Sequence, residues 1–359
     1  MVILIFFLAL VLLVLVHELG HFFTAKLLNM KVEEFGFGFP PRLFGFKKGE
    51  TLYSFNLLPL GGFVRILGEE GDTKNDPRSY ASRPAWQRSV VLISGVAMNF
   101  FLAVLIFWVT YTIGFPMTLG KDTNVHASNV SVQIVDVAKG SPASIAGLRQ
   151  GEQIVSVRPV SYGEATAVTS VEILQNVIEK NKGNNVMFTL IRDGTRVEKE
   201  VAVRLHPPTG EGATGIILAS VGLVRFPWYE AFGKAIITSG QMFYGMLHGL
   251  ALFVSNLLWS GNVIGDISGP VGIASMVGQF YQLGFSYLLA FLGFISINLS
   301  VLNILPIPAL DGGRLFFVGV EKLKGSPLKA KTEQRIHAAG FALLLSLIVL
   351  ITIRDIMKL

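Results

Sequence analysis

Two histidines and a glutamate stand in "LVHELGHFFTAK", directly after an unbroken apolar run from Val2 to Leu15. Side chains four apart share one helix face, with Cβ atoms about 5 to 6 Å apart, so His17 and His21 can hold one Zn²⁺ together. Glu18, one step round the helix, is placed to reach a water on that metal and to act as general base. A zinc ion that does chemistry usually takes three protein ligands and a water, so a third ligand has to come from elsewhere. The chain has no cysteine, which excludes disulfides and thiolate ligands and leaves His, Asp or Glu. An ionisable side chain near a bilayer centre costs roughly 2.5 to 3.5 kcal/mol on insertion scales, and a cluster of them inside an apolar span is expected to be functional.

The best third ligand lies in "NLSVLNILPIPALDGGRLFF". Pro306 and Pro308 break an apolar span there, and Asp311, Gly312 and Gly313 follow at once. Irregular backbone at membrane depth is tolerated only where it is buried in protein or lines a wet cavity, and Asp311 would face that cavity. The alternative for Asp311 is to cap the helix that follows Gly313. Asn303 could be a helix-packing amide or a donor to substrate. His126, His206, His248 and His337 have no metal spacing and read as ordinary surface or interface residues.

These residues must be positioned by membrane helices. Of 359 residues, 51% are hydrophobic and 15% charged, which is too apolar for an ordinary soluble protein and fits a membrane protein with a soluble insert. Four stretches approach the roughly 20 residues needed to cross a hydrocarbon core: Val2–Ala25, Ser89–Phe115, Phe285–Leu310 and the shorter Ala338–Ile353. The net charge of +6 is gathered in two loops, Lys26–Arg88 and Arg314–Arg335, which marks those loops as cytoplasmic and argues against nucleic-acid binding. The N-terminus is then outside, and His17 and Asp311 fall in the inner parts of their spans. The first apolar segment lacks a basic n-region and a small-residue cleavage site, so it is expected to remain in the mature protein. Ala231–Trp259 is apolar but interrupted by Lys234, His248 and glycines, and it is expected to form one or more amphipathic helices on the outer surface or against the bundle.

Between 124 and 207 the composition becomes that of a small soluble α/β domain. "VSVQIVDV" alternates as a strand, "SPASIAGL" reads as a short helix with Pro142 in its first turn and Gly147 at its end, and "SVEILQNVIEK" as a second helix. "EQIVSV" and "VMFTLIRDGTRVEKEVAV" supply further strands, the last two joined at Asp193-Gly194. The first basic loop carries its own β pattern, "TLYSFNLLPLGGFVRI", in which Pro59 to Gly62 separate two strand-like runs.

In order and spacing, "HELGH", "GVAMNFFLA" and "NILPIPALDGG" resemble the site-2 protease family of intramembrane zinc metalloproteases, most nearly its bacterial RseP group. The resemblance covers nearly the whole chain. It implies a polytopic α-helical membrane protein with four transmembrane helices, in which 1–28 carry the HExxH motif, 29–88 form a cytoplasmic membrane-associated β-hairpin region and 89–115 form the second helix. It further implies an extracytoplasmic PDZ domain at 124–207, an amphipathic region at 208–284, the third helix with the LDG motif at 285–313, a cytoplasmic loop at 314–337 and the fourth helix at 338–359. His17, His21 and Asp311 would then be the ligands of one zinc ion and Glu18 the catalytic base. Asn303, Pro306 and Pro308 would meet the substrate helix, while Gly95 and Asn99 match a packing motif.

The implied activity is hydrolysis of peptide bonds within transmembrane segments of single-span proteins in the bacterial inner membrane, with anti-sigma factors or remnant signal peptides as substrates. An exposed strand edge in the β region could capture an unwound substrate by β-addition. The chain has room for one PDZ domain where the best-known RseP proteins have two, and that domain could bind a peptide end or act as a size filter. A zinc-stabilised PDZ scaffold without proteolysis is the alternative. A secondary transporter would need paired repeats and more spans, and neither is visible.

Overall fold

The computed structural model describes residues 2–69, 76–119, 127–161, 163–192, 194–260, 269–326 and 330–358. His126 and Asp193, both singled out above, lie outside these residues. The elements run α1 (Val2–Leu27), β1 (Val32–Lys48), β2 (Thr51–Ile66), α2 (Ala85–Ile113), β3 (Phe115–Leu119), β4 (Ala127–Val137), α3 (Pro142–Ile145), β5 (Gln153–Pro159), β6 (Thr166–Ala167), α4 (Val171–Lys180), β7 (Asn185–Arg192), β8 (Thr195–Ala202) and β9 (Ile216–Val224). Then follow α5 (Trp228–Ser260), α6 (Pro270–Leu283), α7 (Phe285–Ile304), α8 (Asp311–Lys324) and α9 (Ala330–Lys358). Among the described residues, four helices are long and apolar enough to cross a membrane: α1, α2, α7 and most of α9. The chain forms two compact units, one of Met1–Trp108, Phe232–Tyr281 and Leu288–Leu359, the other of Val109–Ala231 and Gln282–Tyr287.

In the first unit, α1, α2 and α7 are stitched together by small residues and buried hydroxyls, the means by which helices approach closely where water supplies no driving force. A Cβ on Gly20 of α1 would lie 2.4 Å from the Ser94 carbonyl oxygen of α2, and one on Gly293 of α7 would lie 2.8 Å from the Phe107 ring of α2. Ser296 Oγ donates to the Asn99 carbonyl at 2.7 Å and Ser300 Oγ to the Val96 carbonyl at 2.9 Å, both buried. The start of α1 joins α6 and α7 in an apolar cluster of Ile5, Phe6, Val277, Leu288 and Phe291. The 231–259 stretch is one helix, and it packs on a neighbour: Phe232 and Phe243 of α5 meet the edges of Trp108 and Phe100 of α2 at 5.5 and 5.8 Å. Since the earlier residue of α5 pairs with the later residue of α2, the two helices run antiparallel.

Below α1, β1 and β2 each fold back on themselves. Val32–Phe37 pairs antiparallel with Gly62–Ile66, and Arg42–Lys48 pairs antiparallel with Thr51–Asn56. Phe35 and Gly36 also pair with Tyr53 and Ser54, partners that rise together, so Val32–Phe37 sits between Gly62–Ile66 on one side and Thr51–Asn56 on the other. The break expected at Pro59–Gly62 thus separates a central segment from an edge segment. The hairpin turn is tied to the end of α1, because Glu50 accepts from Lys26 Nζ at 2.8 Å and from Arg78 Nη1 at 2.7 Å, and these cations hold its carboxyl below the usual carboxylate range.

The second unit is a sheet of order β3-β9-β4-β5-β7-β8, with β6 on β5, over a core that includes Val132, Ile134, Leu174, Phe188 and Leu190. Ser141 caps α3 with Pro142 behind it, Gly147 has φ +76°, and Ser170 caps α4, as the sequence signals require. The sheet exceeds the expected bounds of 124–207 at both ends. Strand β9, from the stretch read as amphipathic, lies between β3 and β4. Its apolar run "IILASVGLV" has no period that distinguishes a strand from a buried helix.

The α1–α2 contact yields a prediction. Gly20→Val must push the helices apart and is expected to destabilise the metal-free protein in detergent by about 1 to 3 kcal/mol, read as a lower thermal midpoint. An unchanged midpoint would mean that the close contact at Ser94 does not form.

Candidate metal centre

His17 and His21 project from one face of α1, both buried. Their Nε2 atoms are 3.1 Å apart, and Asp311 Oδ2 lies 2.9 Å from the first and 3.2 Å from the second. Donors about 2.0 to 2.1 Å from a tetrahedral zinc stand about 3.3 Å from one another, so the three atoms are spaced as a zinc ion needs them. They form the one such group of metal-competent side chains among the described residues.

The protonation pattern supports the same conclusion. His21 Nδ1 lies 2.8 Å from the Val91 carbonyl, to which it can only donate, so the neutral ring leaves Nε2 as a bare lone pair. Asp311 Oδ2 is buried, and the two Nε2 atoms face it at 2.9 and 3.2 Å. With neither a proton nor a metal ion between them, the three atoms would repel at about 3 Å.

Two residues of α2 make this possible. A Cβ on Gly95 would stand 2.4 Å from His21 Nε2 and 2.7 Å from His17 Cε1, so only glycine leaves room for both rings. The buried Asn99 amide lies 3.4 Å from His17 Nδ1 with its Oδ1 otherwise unpartnered. Amide oxygen and nitrogen are distinguished only by their partners, and exchanging them lets Oδ1 accept from His17 Nδ1–H, which leaves Nε2 free to ligate. Gly95 and Asn99, read above as packing residues, are therefore the support of the two histidines.

Helix α7 ends at Ile304, seven residues before Asp311 in the chain. Asp311 is itself the first residue of α8, and the N-cap is Leu310 with no side-chain cap, so the capping role left open above is not the one Asp311 plays. The double glycine has a steric cause. A Cβ on Gly312 would fall 2.1 Å from the Leu305 carbonyl oxygen, and one on Gly313 would fall 2.3 Å from that of Ile307. Start of α8 and broken end of α7 thus lie backbone against backbone.

Glu18 is half-buried on α1, and a Cβ on Gly62 in the edge segment would be 3.2 Å from its Cγ. Asn303 is half-buried near the end of α7, Pro306 is exposed, and Pro308 is half-buried. Beyond the three donors, Arg314 pairs with Glu69, and Arg88 of α2 grips Glu321 of α8 with two bonds of 2.9 Å. Sequence reasoning had no access to Val91, whose contribution is a backbone carbonyl.

The profile described as Peptidase family M50 matches residues 5–347. A protein of Clostridium perfringens named as a predicted zinc metalloprotease is 34% identical over 349 residues, covering 96% of this chain and 95% of the relative. One of the same description from Nostoc is 31% identical over 354 residues, covering 96% of this chain and 93% of the relative. The zinc metalloprotease RasP of Geobacillus kaustophilus is 28% identical over 429 residues, covering 96% of this chain and 95% of the relative.

Asn99→Leu is expected to lower zinc affinity 10- to 100-fold, the usual cost of losing a partner that orients a ligating histidine, with competition against a chromophoric chelator as the readout. Gly95→Ala should fail to retain zinc through purification, and retention of one equivalent would refute the close approach of the two rings.

Proposed function

Because the chain belongs to peptidase family M50, a membrane zinc metalloprotease family of the site-2 type, we propose that it hydrolyses peptide bonds within transmembrane segments of single-span proteins, with His17, His21 and Asp311 holding one zinc ion. The observation that carries this reading is the convergence of the three donor atoms beside Glu18 on an apolar helix. When bound, zinc polarises the scissile carbonyl and lowers the pKa of water toward about 7. Glu18 takes the proton of the attacking water as the C–O bond forms. It returns that proton to the amine nitrogen as the C–N bond breaks.

A substrate helix must unwind before its backbone can be attacked, since all its amides are satisfied internally. Gly62–Ile66 pairs on one side only among the described residues and passes over Glu18, which suits capture of the unwound strand by β-addition. Asn303, Pro306 and Pro308 border the same break in α7 and are assigned to the substrate. Phe44 stacks on Phe55 and Phe46 on Tyr53, with all three phenylalanines exposed, which supports a β region seated in the membrane surface. The Lys/Arg excess of the two basic loops supports a cytoplasmic side for this region and the metal site and an extracytoplasmic side for the α/β unit. On this reading the α/β unit is a PDZ domain that filters substrates by size, and the substrates are trimmed anti-sigma factors or remnant signal peptides.

Glu18→Gln should bind zinc normally yet cleave a model transmembrane substrate about 10² to 10⁴ times more slowly. Asp311→Ala should lose both zinc and cleavage. Undiminished cleavage by Glu18→Gln would refute Glu18 as the base, and no cleavage by zinc-loaded wild type would favour the zinc-stabilised scaffold, in which Glu18 has no chemical task.

A further inference from the structure

The most apolar 18-residue stretch of α9 holds no fully buried residue, yet this helix touches the metal-binding loop at two consecutive residues of that loop. His337 Nδ1 accepts a hydrogen bond of 2.9 Å from the Ala309 N–H. One turn on, Gly340 approaches Pro308 so closely that a Cβ would lie 2.5 Å from Pro308 Cβ and 2.7 Å from its carbonyl oxygen. Ala309 has φ +81°. Only two other non-glycine residues described have positive φ, and both are asparagines, which tolerate that region; alanine does not, so its neighbours must hold it there.

We propose that His337 is a positioning residue for the metal site, holding Ala309 in its left-handed conformation so that Asp311, two residues on, presents its carboxylate to His17 and His21. The hydrogen bond dictates the tautomer. Nδ1 accepts from a backbone donor, so Nε2 carries the proton; that nitrogen is buried, and Glu333 Oε1, one turn back at 4.0 Å, is the acidic oxygen on its side. Phe317 of α8 meets the imidazole edge-on at 5.3 Å and fixes the ring plane. Loss of the acceptor strands the Ala309 N–H and releases the constraint on φ. Relaxation at Ala309 then turns the chain that leads through Leu310 into Asp311.

This inference rests on the zinc-site reading above, and the experiment separates the two. Zinc affinity, by chelator competition on the full chain in detergent, and cleavage of the model transmembrane substrate are measured for wild type, His337→Phe, His337→Asn and His337→Gln. Phe keeps the ring and its contact with Phe317 but has no acceptor. Asn places an oxygen where Nδ1 stands, whereas Gln places one where Nε2 stands, out of reach of Ala309. The expected result is a 10- to 100-fold loss of zinc affinity for Phe and Gln, with Asn within threefold of wild type. Wild-type affinity for His337→Phe would overturn the proposal; should that variant fail to fold, equal affinities for Asn and Gln would overturn it instead. A wild-type chain that neither retains zinc nor cleaves would refute the zinc-protease reading.

Discussion

Two imidazole nitrogens and a carboxylate oxygen, each presenting a lone pair, are forced to within about 3 Å of one another among apolar helices. With neither a proton nor a metal ion between them this arrangement is repulsive, and burial removes the water that would relieve it. Much of the first unit can be understood as the means of imposing it. His17 and His21 need only helical geometry to meet. The bare glycine face at Gly95 lets α2 approach them, and the Val91 carbonyl and Asn99 amide turn both rings so that Nε2 points inward. Ser296 and Ser300 then bind α7 to the carbonyls of Asn99 and Val96, so the elements bearing the ligands share one support.

Asp311 poses a harder problem, because a carboxylate delivered from a continuous helix would require a helix pointed at the metal. The chain instead stops α7 at Ile304 and restarts as α8 at Asp311, and the interval must satisfy backbone groups that helix would have paired. Short-range bonds such as Ile307 N to the Leu305 carbonyl at 2.7 Å take up part of the demand. Gly312 and Gly313 lie directly on the freed carbonyls of this interval. Side chains there would hold the two helix ends apart and carry Asp311 away from the histidines.

The parts of this arrangement differed in how visible they were in the sequence. "HELGH" was legible because both candidate ligands and the candidate base lie within one helical turn, where spacing alone decides geometry. Asp311 was legible as a candidate because prolines and glycines mark a break in an apolar run, although its alternative as a cap could be discarded only once Asp311 proved to be the first residue of α8 itself. Two of the four β segments below α1 could be anticipated from the break at Pro59–Gly62, but not the order of the four, which places Val32–Phe37 in the middle through pairings of long separation. Strand β9 was hidden by its uniform apolar run. His337 was passed over because its partner is a backbone N–H, and no residue type advertises a left-handed alanine.

The position of Glu18 links the chemistry to the way a substrate would arrive. It follows His17 directly on α1 and packs beneath Gly62, the first paired residue of the edge segment. On the proposed reading, a strand added to that edge runs past the base, and the register of its hydrogen bonds decides which carbonyl faces the metal donors. A glycine at this point keeps the edge close to α1; the Cβ of any other residue would press on Glu18 Cγ and displace either the base or the strand. Cleavage position would then follow from backbone register more than from side-chain identity. This is what a protease needs when its substrates share an apolar helix and little sequence.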